Sequence, residues 1–257
     1  MRSPSLPDRR PGVLRGRCKS VSLRRTSDDG QIWTGCLHWQ PQPMETDRMA
    51  SDTTWDHWWW RPGWQLGRSF CTWHVTFGDD SPTGDLVRRF APALKRIPTM
   101  APVMREGLHI TVQGVGFTDE VTDRDVERIR NAATVRLARR TPFEIQIGPP
   151  TVDEETIGLP VTDPAALHVL RDDLQGAIAD VWGSDHVPER GDRFQPHLTM
   201  AYSTGVASIS DIDSTLIDAG LREIVVSDIV VSVSLIDLNR DNRQYEWREI
   251  AKVPLGT

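Results

Sequence analysis

Phe194-Gln195-Pro196-His197-Leu198-Thr199-Met200-Ala201 and Leu108-His109-Ile110-Thr111-Val112 are two apolar runs, each interrupted by a His-x-Thr triplet. Successive side chains of an extended strand point to opposite faces, so in each run the imidazole and the hydroxyl share one face and the aliphatic residue between them takes the other. A third triplet, His74-Val75-Thr76, lies in the run Phe70 to Phe77. With seven His in 257 residues, random placement predicts fewer than one such triplet. An imidazole beside a hydroxyl suits a phosphodiester: the ring carries a proton near neutral pH and the hydroxyl donates to a phosphoryl oxygen. Two such strands facing each other supply both an acid and a base.

Outward from these runs, strands and helices alternate in two similar rounds. Phe70 to Phe77 reads as a strand, Thr83 to Arg96 as an amphipathic helix ending before Pro98, and Leu108 to Val115 as a second strand. Asp123 to Arg140 has Val126, Ile129, Ala133 and Leu137 at helical spacing, and Phe143 to Ile147 alternates as a half-buried strand. Thr156 to Val161 is a partner strand, and Pro164 to Trp182 a helix with Leu167, Leu170, Leu174 and Ile178 on one side. After the loop from Gly183 to Gln195 come the strand from His197 to Tyr202 and a short helix from Ser210 to Ala219. Glu223 to Leu238 reads as a long or bent strand pair, and Tyr245 to Val253 as a final strand.

Residues 1–48 are rich in Arg, Ser, Pro and Gly and show no apolar period, which predicts a disordered basic extension. A basic tail can bind nucleic acid, but the blander reading is preferred: an unstructured extension, or a start codon placed too early with Met44 or Met49 as the true start. Residues 49–68 form a Trp-rich, non-regular segment with five Trp between Trp55 and Trp64. Such rings either stack on bases or cap an open end of the core. The remaining domain spans residues 69–257.

Charge divides the same way. Residues 1–50 hold nine Lys/Arg against five Asp/Glu, and the rest has a net charge of −10. An acidic body argues against a broad grip on long nucleic acid, which draws on many Lys/Arg contacts to phosphate, and leaves room for a small or short phosphorylated ligand. Cys18, Cys36 and Cys71 form neither a disulfide framework nor a zinc pair. Without an apolar run of about 18 residues or a secretory signal, a cytoplasmic protein with no membrane partner is expected, and a monomer.

The two motifs resemble those of the two-histidine phosphoesterase superfamily, in particular its LigT-like branch of RNA 2′-5′ ligases and cyclic phosphodiesterases. The resemblance covers about residues 69 to 253, and the approach Phe-x-Pro-His-x-Thr-x-Ala is its more telling half. It implies an α+β, bilobal, duplicated fold with two antiparallel-rich sheets facing a central cleft and helices outside. His109 and His197 become the catalytic pair, with acid and base not yet distinguished, and Thr111 and Thr199 the phosphate donors. The chemistry it implies needs no metal and no cofactor.

His74 lies on the first strand, where that family places no catalytic histidine; it either lines the ligand pocket or is a hydrogen-bonded core histidine. By alternation Gln113 shares the face of His109 and Thr111 and is a substrate-lining candidate, whereas Tyr202 falls on the face opposite His197. His38, His57, His168 and His186 have no supporting neighbours. A metal cage of His74, His109 and His197 is disfavoured by the lack of an H-E-x-x-H motif or a Cys ligand pair. The expected activity is a metal-independent phosphodiesterase or RNA 2′-5′ ligase acting on 2′,3′-cyclic phosphate or 2′-5′ linkages of RNA ends or nucleotides. The alternatives are a hydrolase of cyclic nucleotide or cyclic oligonucleotide signals and a non-catalytic RNA-binding module.

Overall fold

Along β1 (Phe70–Thr76) the apolar side chains Cys71, Trp73 and Val75 alternate with Thr72, His74 and Thr76, so one face of the strand seeks a core while the other offers polar groups. A computed structural model describes residues 51–78, 80–191 and 193–256. The 1–48 extension lies outside them. β1 is an inner strand of a four-stranded antiparallel sheet, flanked by β3 (His109–Phe117) and by β9 (Ser232–Asn239), which in turn pairs with β10 (Glu246–Pro254). The outer side of this sheet is covered by α2 (Asp123–Leu137) and α3 (Ala165–Trp182), which pack on each other. Ile129, Ala133 and Leu137 of α2 and Leu167, Leu170, Leu174 and Ile178 of α3 are buried, as their spacing predicts.

The second four-stranded sheet has the order β2 (Met100–Pro102), β7 (His197–Ser203), β6 (Thr156–Pro160), β5 (Thr151–Val152), again antiparallel. α1 (Asp85–Leu94) packs on β2 and β7, and α4 (Ile209–Asp218) on β5. Thr122 and Ser208 cap α2 and α4 by accepting the backbone N–H groups of Asp125 and Asp211. The fold is α+β with two sheet-and-helix lobes, and the motif strands β3 and β7 come into contact between them.

Two short strands, β2 and β5, were not visible in the sequence pattern, because two or three residues are too few to show a period. The predicted strand pair from Glu223 to Leu238 divides: β8 (Val226–Val230) pairs with β4 (Phe143–Ile147), whereas β9 enters the first sheet. β8 alternates between half-buried and exposed residues until Val230, while β9 is buried over Val233–Ile236 as a strand covered on both faces should be. Among the described residues no helix is long and apolar enough to cross a membrane.

Candidate active site

The pairing of β1 with β3 places Thr76 opposite His109 and His74 opposite Thr111, then skips Val112, so that Trp73 faces Gln113 and Thr72 faces Gly114. β6 and β7 do the same: Pro160 lies opposite His197 and Gly158 opposite Thr199, Met200 is skipped, and Ile157 and Thr156 face Ala201 and Tyr202. Each motif strand thus carries a one-residue bulge immediately after its threonine. A bulge reverses the alternation beyond it.

Two sequence expectations are corrected by this. Gln113 turns to the helix side, where it is 0% exposed. Its Oε1 accepts from Arg171 and Gln175 of α3, and its Nε2 donates to the carbonyls of Gly114 and Pro188, so it anchors α3 and the following loop rather than lining the cleft. Tyr202 turns onto the face of His197 and Thr199. The corresponding position on β3 is Gly114, whose N–H donates to Glu189 Oε2 at 3.1 Å.

Both motif histidines are held alike. His109 Nδ1 is 2.8 Å from Gly107 O and His197 Nδ1 is 2.9 Å from Gln195 O, in each case the carbonyl two residues earlier. A carbonyl only accepts, so the neutral ring carries its proton on Nδ1 and Nε2 is left as a base, or as a donor once protonated. Their surroundings differ. His109 is half-buried beside exposed Thr111, and His197 is exposed beside buried Thr199. Burial, reinforced by the repulsion of a charged His197 and opposed by the Gly107 carbonyl, pushes the His109 pKa down to about 4. The two rings are near enough for a charge on one to act on the other.

His74 is 0% exposed, which removes it from the pocket wall. Its ring stacks on His109 with centroids 4.3 Å apart and planes at 7°, its Nε2 is 3.2 Å from Thr111 Oγ1, and its Nδ1 has no partner among the described residues. Parallel stacked rings do not converge on a common point. Among the described residues no group of three or more His, Cys, Asp or Glu is arranged to hold a metal.

The Trp-rich segment adds a wall that the motifs did not announce. Its backbone joins the second lobe through Thr54 to Ala207, Trp55 to Glu154 and His57 to Ser203, and reaches the first lobe where Gly67 N–H donates to Asp241 and Arg68 pairs with Asp119 and Glu120. Glu155 gathers it: Oε1 accepts from the indoles of Trp55 and Trp59, and Oε2 from His57 Nδ1 and from Arg61. Burial alone would raise the Glu155 carboxyl, but these donors and the Arg61 charge outweigh it and hold the group well below the usual carboxylate range. His57 Nε2 then lies 3.0 Å from the hydroxyl of Tyr245, whose ring stands between Tyr202 at 5.3 Å and His109 at 6.1 Å. Arg240, 3% exposed, backs the cluster over Trp58 and Tyr245 and donates to His57 O. Through Tyr245 the cluster of His57, Glu155 and Arg61 is joined to His109, and through Tyr202 to the motif strand β7. The density of Trp was the sequence's only signal of them.

A family model, described as the 2′-5′ RNA ligase superfamily, matches residues 71–234. The chain belongs to this superfamily. Solved structures share its fold, E. coli LigT among them. TT0787 of Thermus thermophilus superposes with a TM-score of 0.56 at 16% identity, covering 72% of this chain and 97% of that one. E. coli LigT in apo form gives 0.51 at 12% identity, with 74% and 99% covered, and a structure titled phosphoesterase gives 0.52 at 13%, again with 74% and 99%. At such identities the likeness is one of fold. No curated protein matches in sequence. The superfamily match begins at Cys71, so the Trp-rich segment lies outside it.

Proposed function

We propose that the cleft between β3 and β7 is the active site of a metal-independent cyclic phosphodiesterase acting on 2′,3′-cyclic phosphate or 2′-5′ linkages of RNA ends or nucleotides. The observation that carries the reading is the paired restraint of His109 and His197 by their own backbone carbonyls, which gives two imidazoles a free Nε2 in one site. LigT of E. coli, similar in fold, has been solved with 3′-AMP, a nucleotide of the kind such a cleavage involves.

Magnitude divides the labour. With a pKa of about 4, His109 would hold a proton in only about one molecule in a thousand at pH 7, so it serves as the base. His109 Nε2 takes a proton from water as its oxygen attacks phosphorus; the bond from phosphorus to the ribose oxygen breaks, and that oxygen takes a proton from His197 Nε2. Thr111 and Thr199 donate hydrogen bonds to the phosphoryl oxygens, where negative charge builds. A positioned acid or base contributes about 10² to 10⁴ in rate.

The test is product analysis on a panel of 2′,3′-cyclic nucleotides, 2′-5′-linked dinucleotides and 3′,5′-cyclic nucleotides. Cleavage of the first two classes is expected, with the acid limb of kcat/KM lying well below pH 6.5. Turnover confined to 3′,5′-cyclic nucleotides would reassign the substrate, and binding without turnover on the whole panel would refute the enzyme.

A further inference from the structure

We infer that His74 is a positioning residue for the phosphate site: as a neutral Nε2–H imidazole it donates to Thr111 Oγ1 and so frees the Thr111 hydroxyl proton to point into the cleft. The inference rests on the reading of the cleft as a phosphate site. It starts from a choice between tautomers. Nε2 lies 3.2 Å from Thr111 Oγ1, whereas Nδ1 is buried without a partner. A proton on Nδ1 would leave a buried N–H orphaned, which folded proteins almost never tolerate, while a proton on Nε2 leaves only a bare acceptor there. The second arrangement is the less costly one.

The tautomer decides what Thr111 can do. A hydroxyl has one proton. Were His74 Nε2 an acceptor, that proton would be spent on it, and Thr111 would offer a phosphate only lone pairs. With Nε2–H as donor, Oγ1 is satisfied from behind and its proton remains for an anion on the exposed side of the strand. His74 cannot itself carry charge to the substrate, because it is 0% exposed and its ring lies 4.3 Å from that of His109 in a parallel stack, where two positive rings would repel. Trp247 meets its edge at 5.8 Å, and Ser234, its partner on β9, spends its hydroxyl on Glu249. Among the described residues no other group is placed to set the ring. In the second lobe the residue against Thr199 is Tyr202, a phenol that burial keeps protonated.

The experiment pairs imidazole ¹⁵N shifts with the affinity for inorganic phosphate. At pH 7 the His74 shifts should show the proton on Nε2. His74→Phe keeps a flat ring against His109 but removes the donor, so that nothing holds the Thr111 hydroxyl with its proton turned toward the cleft, and phosphate affinity should fall about tenfold, the worth of one hydrogen bond to an anion. His74→Gln sets an amide N–H near the place of Nε2 and should recover most of that loss. His74→Phe added to Thr111→Ala should cost nothing beyond Thr111→Ala alone, since the ring acts through that hydroxyl. A proton found on Nδ1, wild-type phosphate affinity in His74→Phe, or additive losses in the double variant would overturn the inference. A wild-type protein that binds phosphate but cleaves no cyclic phosphodiester would sink the proposed activity and leave this inference standing; one that binds no phosphate would sink both.

Discussion

Lowering the pH from 7 to 4 should destabilise the protein by an amount that its buried imidazoles set. The unfolded chain takes up a proton on His109 near the ordinary 6.5, whereas the folded protein does so only near about 4. Between those values the unfolded state binds more protons, so stability falls as pH falls. The contribution is fully present above about pH 6.5, declines through the interval, and is spent below about 4. At about 1.4 kcal/mol for each tenfold change, His109 alone accounts for roughly 3 kcal/mol. His57 and His74 are also depressed, first of all by burial, and add losses of the same sign. Urea unfolding followed by tryptophan fluorescence across this range gives the slope directly. Typical domains are stable by only about 5 to 15 kcal/mol, so the midpoint should drop visibly by pH 5. A midpoint unchanged between pH 7 and 5, or one that rises, would mean that these rings are not held neutral, and the assignment of His109 as base would fall with them.

Replacing His109 or His197 by Ala should lower turnover on a 2′,3′-cyclic nucleotide by about 10² to 10⁴, and the double variant should be scarcely worse than the worse single one, because the pair acts as a unit. Turnover measured after exhaustive EDTA treatment should match that of untreated protein; a loss restored by a divalent metal would require a site the donor geometry does not suggest. Trp58→Ala should cost about 3 to 5 kcal/mol in chemical denaturation, since its ring fills the space between Tyr202, Tyr245 and Arg240. A chain beginning at Met49 should unfold as cooperatively as the full one, because residues 1–48 carry no apolar period with which to build a core; a broadened transition would contradict this.

The order of the main elements was legible because their apolar periods are long: Val126, Ile129, Ala133 and Leu137 can only make a helix face, and the runs around His109 and His197 can only be buried strands. Alternation correctly put each His with its Thr. It failed from the very next residue, because a bulge carries no sequence signature in Ile110-Thr111-Val112-Gln113 or in Leu198-Thr199-Met200-Ala201: every residue in both remains a reasonable strand former. Gln113 and Tyr202 consequently exchanged the faces that a strict period of two assigns them. The burial of His74 was equally hidden, since it depends on Trp247 and His109 arriving from strands distant in sequence.

The duplicated machinery and the parts that make this cleft unequal come from different stretches of the chain. Motif, carbonyl restraint and bulge recur in β3 and β7, both inside the superfamily match of residues 71–234. His57, Arg61 and Tyr245 lie outside it on either side, yet Tyr245 joins them to His109 and to Tyr202. On the proposed reading, a ligand's phosphate would meet groups arranged by the duplication, while whatever is attached to that phosphate would meet, on the Tyr245 side, a wall built from outside the superfamily match, with Trp59 and Trp60 exposed at 46% and 48% beyond it. Substitutions in the Trp-rich segment should accordingly change which cyclic phosphodiester is preferred, through KM, more than the rate of the chemical step, and a variant such as Trp59→Ala that lowered kcat on every substrate equally would place that segment in the chemistry instead.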